Sequence, residues 1–199
     1  MTDEKRPYRK KRRAELEEQT RLRITESAVE LHGTLGPSRT SMSAIAERAG
    51  VRRSTLYRHF PDEAAVFQAC SSHWAAANPP PDVGAWAAID DPDERVATAL
   101  SELYAYYRSS EAMLANLHRD EALVPVVGQF FGAYHAFIDA MGDVLMRGRR
   151  LRGRARRRVA AAVGHALAFA TWRSLVREQE LDDAEAAELM CRLVRQAAA

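Results

Sequence analysis

Arg52, Arg53, Ser54, Thr55, Tyr57, Arg58 and His59 form a short run rich in hydrogen-bond donors, without one acid among them. An arginine fork matches the O6/N7 edge of guanine in two parallel hydrogen bonds, whereas Tyr and His donate single bonds to phosphate oxygens. The chemistry on offer is therefore that of a major-groove reader. A face that only met solvent would interleave Glu with Arg, as Glu26 and Glu30 do upstream. Ser41 and Ser43 add hydroxyls that could reach phosphate just before this run. Chemistry of other kinds has little to work with. There is no phosphate-cradling glycine loop, nucleophile elbow or HExxH pattern. Gly128 and Gly132 stand in a helical pattern and read as close packing, and Cys70 and Cys191 have no metal-ligand spacing. No catalytic residue, metal or cofactor is expected.

The donor run needs a scaffold, and the spacing of apolar residues supplies one. Ile24, Ala28, Leu31 and Leu35 mark a first helix that ends in the Gly33 to Pro37 breaker cluster. Ser41 is a candidate N-cap for a second, short helix with Met42, Ile45, Ala46 and Ala49 on one side. Gly50 then stands where a tight turn favours a residue without a Cβ, and a third helix from about residue 53 to 60 inserts Leu56 and Phe60. Small Ala46 lets the next helix cross it, while Val51 and Leu56 fill the angle between the two; this is the packing of a helix-turn-helix. Asp62 caps a longer helix that runs to the Asn78-Pro79-Pro80-Pro81 stop. Further helical segments are expected at about 92–108, 111–123, 128–147, 155–179 and 183–197. No alternating β-branched run or Asn-Gly hairpin signal occurs, so the fold class is all-α.

Residues 1–60 hold 14 Lys+Arg against 8 Asp+Glu, and the remaining 15 and 19 give 61–199 a net charge of −4. The basic end faces the anionic partner. No apolar segment follows the N-terminal basic residues, and none is long enough to span a membrane, so a cytoplasmic protein without membrane contact is expected. Arg12 and Arg13, at the end of this basic stretch, could follow a DNA backbone or enter a minor groove, or the stretch could be a solubilising tail.

The segment from Ser41 through Ala49-Gly50-Val51 and Thr55-Leu56-Tyr57 to His59-Phe60 resembles the signature of the TetR/AcrR family of transcriptional regulators, with the likeness extending over about residues 20–70. The resemblance implies a homodimer that binds a palindromic DNA operator, through a three-helix N-terminal domain, under control of a small effector held in a C-terminal domain. The implied division is a basic flexible arm at 1–14, a DNA-binding domain at 15–61 and a helical effector-binding and dimerisation domain at 62–199. Three residues depart from the family pattern: Glu63 stands where Lys often helps to bind phosphate, His32 where an aromatic is usual, and Ser54 where glycine is frequent. The helix following the recognition helix would act as the lever between effector and DNA.

Family architecture points to Trp74, Tyr104, Tyr107, His118, Phe130, Phe131, Tyr134 and Trp172 as candidate effector contacts, suited to an apolar or aromatic ligand; aromatics at helical spacing also serve as core. Ala160, Gly164, Leu167, Thr171 and Leu175, with Leu189 and Leu193, form stripes compatible with a dimer interface or with an internal helix contact. Arg147, Arg149, Arg150, Arg152, Arg154, Arg156, Arg157 and Arg158 crowd eight arginines into twelve residues. They read as a solvated loop, or as a surface for an anionic effector, a membrane or a second nucleic-acid contact. The rival function is a base-blind nucleic-acid binder that uses both Arg-rich segments.

Overall fold

The computed structural model describes residues 5–198, with side chains from Lys10 onward, and contains only helices and turns over that span. Two compact units are present: one comprises the chain up to Asn78 together with Ala115–Gly128, the other Pro79–Leu114 together with Gln129 onward.

In the first unit, α1 (Lys5–Thr34) is 30 residues long, so the segment expected to be a flexible arm is helical from Lys5; Met1 to Glu4 lie outside the described residues. The basic stretch carries no proline or glycine after Pro7, and Pro is tolerated in the first turn of a helix, so nothing breaks its continuity with the Ile24 segment. Three short elements follow: a 3-10 turn (Pro37–Arg39), α2 (Met42–Arg48) and α3 (Arg53–His59). Then α4 (Glu63–Ala77) starts on the Asp62 carboxylate, which accepts the Ala65 N–H at 2.8 Å. Ile24, Ala28, Ile45, Ala46, Ala49, Leu56, Phe60, Val66 and Cys70 close a single core. Leu35, expected on the buried stripe, follows the last turn of α1 and is exposed.

The second unit contains α5 (Val83–Ala87), which the sequence reading did not anticipate; Asp82 caps it and Trp86 is buried, its indole N–H bonded to Glu102 at 2.7 Å. The expected helices 92–108 and 111–123 are one continuous element, α6 (Pro92–Asp120). Ser109 and Ser110 do not interrupt it, because Ser109 turns its hydroxyl onto the Tyr106 carbonyl at 2.9 Å. After α7 (Pro125–Met146), the expected helix 155–179 breaks at Ala168, whose ψ of 130° is extended, into α8 (Gly153–Leu167) and α9 (Phe169–Arg173), followed by a π-helical turn at Ser174–Glu178. Two tyrosines of α6 make the break affordable. The Tyr104 hydroxyl donates to Ala166 O at 2.9 Å and that of Tyr107 to Leu167 O at 2.6 Å, so two carbonyls at the end of α8 are satisfied away from water. The final helix, α10 (Asp183–Gln196), has a full capping box, with Asp182 and Glu185 satisfying one another's backbone N–H, and it packs against α8. No single helix among the described residues is long and apolar enough to cross a membrane; the segments Gly153–Leu167 and Phe169–Glu178 reach that composition only together and bend by 63° between them.

Candidate nucleic-acid interface

The turn between α2 and α3 follows from one residue. Gly50 has φ of 65°, its N–H bonds Glu47 O at 3.0 Å, and the Val51 N–H reaches back to Ala46 O at 2.9 Å. That pair of bonds is the Schellman closure of a helix, which a left-handed residue permits at no steric cost only when it is glycine. At the other end of α2 the Ser41 hydroxyl accepts the Ala44 N–H at 3.1 Å; Ser41 therefore caps the helix, although its O–H remains free to donate to a phosphate.

Leu56 is completely buried and Val51 packs on the same core, which anchors α3 by its inner side. Burying such a leucine contributes roughly 2 kcal/mol. Arg52, Arg53, Ser54, Tyr57 and Arg58 then face outward, with Ser43 exposed on α2, while Thr55 is half-buried. Arg53 and Tyr57 are coupled one turn apart: an Arg53 Nη donates to the Tyr57 hydroxyl at 3.3 Å and the guanidinium stands 5.4 Å from the ring centroid. The tyrosine thus gives the exposed guanidinium a partner on its own helix face. His59 departs from expectation. It is half-buried and its Nε2 is enclosed, so it is less open to a partner than Arg53, Tyr57 and Arg58.

Arg21 is a positioning residue that the sequence reading missed. Its Nη donates to His59 O at 2.9 Å and its guanidinium stacks 4.3 Å from the Phe60 ring centre, tying the C-terminal end of α3 to α1. A helical cation 38 residues upstream carries no local signal of that partnership. Arg48 on α2 pairs with Glu30 on α1, adding a second tie from outside the core. Arg21, Arg58 and His59, together with Ala14, Glu17 and Glu18, line an open cleft of about 430 Å³. Arg12 and Arg13 extend from the same helix as exposed cations, Arg13 paired with Glu17 at 3.0 Å. Glu63 is exposed in the first turn of α4, where a carboxylate favours the helix N-terminus; that explains an acid where a phosphate-binding lysine would be of more use to DNA.

The last turn of α6 grips the end of α1 within this unit. Asn116 donates to the carbonyls of His32 and Gly33 at 3.0 and 2.8 Å, and Arg119 to Leu35 O at 2.9 Å. Asp120, fully buried, accepts the Ser38 N–H at 2.9 Å. Burial alone would raise the Asp120 pKa, but bonds from Arg119 and Ser38 outweigh it and hold the carboxyl below its usual value. His32 lies inside the same unit, 5.7 Å from the Phe67 ring, with Nδ1 3.4 Å from Cys70 Sγ. Burial lowers its pKa to about 4, against a smaller opposing pull from Asp120, and pushes the Cys70 thiol up to about 12.

The residues named as effector contacts are divided between the two units. Trp74 and His118 belong to the first unit, half-buried, whereas the other six belong to the second. Tyr104, Tyr107, Phe131 and Trp172 are fully or almost fully buried, and three of them have spent their polar atoms, the two tyrosines on α8 carbonyls and the Trp172 indole on Asp183 at 2.9 Å. They are core residues in this structure. Phe130 is exposed and Tyr134 half-buried, packed at 5.3 Å on Phe131. The proposed dimer stripe also divides. Leu167 and Thr171 are buried within the protomer on opposite sides of the Ala168 break, and Ala160 and Leu175 are half-buried; Gly164, Leu189 and Leu193 face outward. The bend at Ala168 separates Ala160, Gly164 and Leu167 from Thr171 and Leu175, which a straight helix would have placed on one stripe.

Residues 24–70 match the family model described as bacterial regulatory proteins, tetR family. Among curated sequences no relative matches at significance. A TetR-like transcriptional regulator from Rhodococcus sp. RHA1 superposes with a TM-score of 0.62 at 21% identity, over 89% of this chain and 94% of that one. NalD of Pseudomonas aeruginosa, the secondary repressor of the MexAB-OprM multidrug efflux pump, does so at 0.58 and 19%, over 91% and 96%. Thermus thermophilus FadR, a TetR family repressor in complex with lauroyl-CoA, gives 0.51 and 23%, over 90% and 95%. These distant likenesses establish the all-α two-domain fold, and the motif match lies over α2, the Gly50 turn and α3. Residues 24–70 of this chain thus match the DNA-binding domain model of the tetR family of bacterial regulatory proteins, and that match supports a DNA-binding transcriptional regulator.

Proposed function

We propose that this protein is an effector-responsive repressor that binds a pseudo-palindromic operator as a homodimer, each protomer placing α3 in a major groove. The observation that carries this reading is the outward face of α3. Arg52, Arg53, Ser54, Tyr57 and Arg58 are exposed together, free of acids, on a helix held rigidly by Leu56, the Gly50 turn and Arg21. Arg53 and Arg58 read bases; Tyr57, Ser41, Ser43 and the cations of α1 meet phosphates. Dimerisation through the exposed strip of Gly164, Leu189 and Leu193 would set the two readers one duplex turn apart, about 34 to 36 Å.

The effector is a small apolar or aromatic molecule bound in the helical domain, and the working compartment is the cytoplasm. Its signal reaches DNA through α4, which three residues separate from the end of α3, and through α6, whose last turn holds the residues that lead into α2. Shifting the dimer from 99% to 1% DNA-competent needs about 5.5 kcal/mol of differential ligand affinity. Selection of binding sites from random duplexes, with analytical ultracentrifugation of the free protein and of the complex, tests the reading. An inverted repeat bound by two protomers supports it; recovery of no preferred sequence, or a monomer on DNA, refutes it.

A further inference from the structure

Seven of the eight clustered arginines are exposed, Arg147 together with Arg150, Arg152, Arg154, Arg156, Arg157 and Arg158, and among the described residues only Arg149 of the cluster pairs with an acid. They stand on a built platform rather than a loose loop. Gly148, at φ 77°, turns the chain out of α7. The side chain of Arg95, 4% exposed, donates to Val144 O at 3.1 Å and to Arg147 O at 2.7 Å. Arg149 is nearly buried and bonds Pro92 O and Asp93, both at 2.7 Å, so this member of the cluster is structural. Leu151 is half-buried between exposed Arg150 and Arg152.

Such crowding works against the fold. The N-terminus of α8 already carries a partial positive charge from the aligned peptide dipoles; its first turn holds no acid, and its N-cap, Arg152, supplies no side-chain cap. Like charges this close raise the energy of the folded state until something neutralises them. At roughly 3.3 Å per extended residue and 1.5 Å per helical one, Arg150 to Arg158 spans about 16 Å. Six positive charges over that length call for a dense polyanion. Duplex DNA, with a charge about every 1.7 Å of axis, provides that density, and a small effector does not. A lipid surface fits less well, because no large apolar side chain is exposed between Phe130 and Leu189 to enter it.

We propose that the Arg150–Arg158 platform is a second DNA-binding surface, one that grips the phosphate backbone without reading bases. It is independent of the assignment of α3, since it contributes affinity and not preference. The test uses the full chain and measures affinity for a 30-base-pair duplex of arbitrary sequence against salt. Replacing Arg150, Arg152, Arg154 and Arg157 together by Gln should lower the salt slope by about 3 to 4 and leave the base preference of the selected operator unchanged. The same four positions changed to Lys should restore the slope, and an unaltered circular dichroism spectrum and thermal midpoint show that the Gln variant is folded. An unchanged slope overturns the proposal. So does a Gln variant that loses binding to phosphatidylglycerol vesicles while keeping its DNA slope, which would make the surface one for lipid. If Arg53→Ala leaves operator preference intact, it is the reading of α3 that fails, and this one stands.

Discussion

Replacing Asp120 by Ala removes a carboxylate through which α6 holds the chain segment entering α2. In the native protein its oxygens accept the Ser38 N–H at 2.9 Å and the Arg119 Nε at 2.8 Å, and the side chain is wholly shielded from water. The variant leaves the Ser38 N–H without its acceptor, a desolvation cost of about 1 to 3 kcal/mol, and forfeits a charge-assisted bond of similar size. Arg119 keeps its bonds to Leu35 O and Asn116 and faces solvent, so its loss adds little. We expect a destabilisation of about 2 to 4 kcal/mol by urea unfolding followed by circular dichroism. Asp120→Asn, which keeps the shape and one acceptor, should cost about half as much. The carboxyl titrates lower folded than unfolded, so its contribution is present above the ordinary Asp pKa and disappears as pH falls through the folded value. The Asn variant should therefore lose less stability than the wild type on acidification below about pH 4. A cost under about 0.5 kcal/mol for Asp120→Ala, or identical acid profiles for wild type and Asn variant, would refute the account of this contact.

Gly50→Ala should destabilise by about 1 kcal/mol, all of it from the left-handed backbone, since a Cβ there meets nothing within 4 Å; thermal unfolding checks this, and Gly50→Asn should recover part of the loss. His32 is held neutral by burial, so the unfolded chain binds its proton first: stability should fall by about 1.4 kcal/mol per pH unit as pH drops from 6.5 toward 4, and His32→Phe should flatten that slope in denaturant titrations. Arg53→Ala should cost about 1 to 3 kcal/mol per half-site on the preferred operator and far less on unrelated duplex, read by competition binding at fixed salt. Tyr57→Phe should weaken binding to every sequence and also loosen base choice, because it removes the hydroxyl to which Arg53 donates. Tyr107→Phe leaves the Leu167 carbonyl unpaired at the Ala168 break and should cost about 1 to 3 kcal/mol in urea unfolding.

Much of the DNA-binding half was legible in the chain itself, because its determinants are local. The apolar spacing of Ile45, Ala46 and Leu56, the caps at Ser41 and Asp62 and the need for a glycine at 50 all act within a few residues of one another, and α2, α3 and α4 appear where those signals put them. The outward donors of α3 were readable for the same reason, since a helix that buries Leu56 must present Arg53 and Tyr57 elsewhere. What tertiary structure alone decided depends on partners far along the chain. Helix α8 ends at Leu167 and the chain bends at Ala168 without proline or glycine, and the hydroxyls of Tyr104 and Tyr107, 62 and 60 residues away from their partners, donate to the carbonyls of Ala166 and Leu167 there; Gly164 lies before that bend, Thr171 and Leu175 after it. Arg21, Asn116 and Asp120 became positioning residues through contacts spanning 38 to 84 positions. The aromatics of α6 illustrate the limit: helical spacing shows that they are buried, but whether a buried ring packs or lines a pocket is set by what the other helices bring against it, and that is not written in any window of sequence.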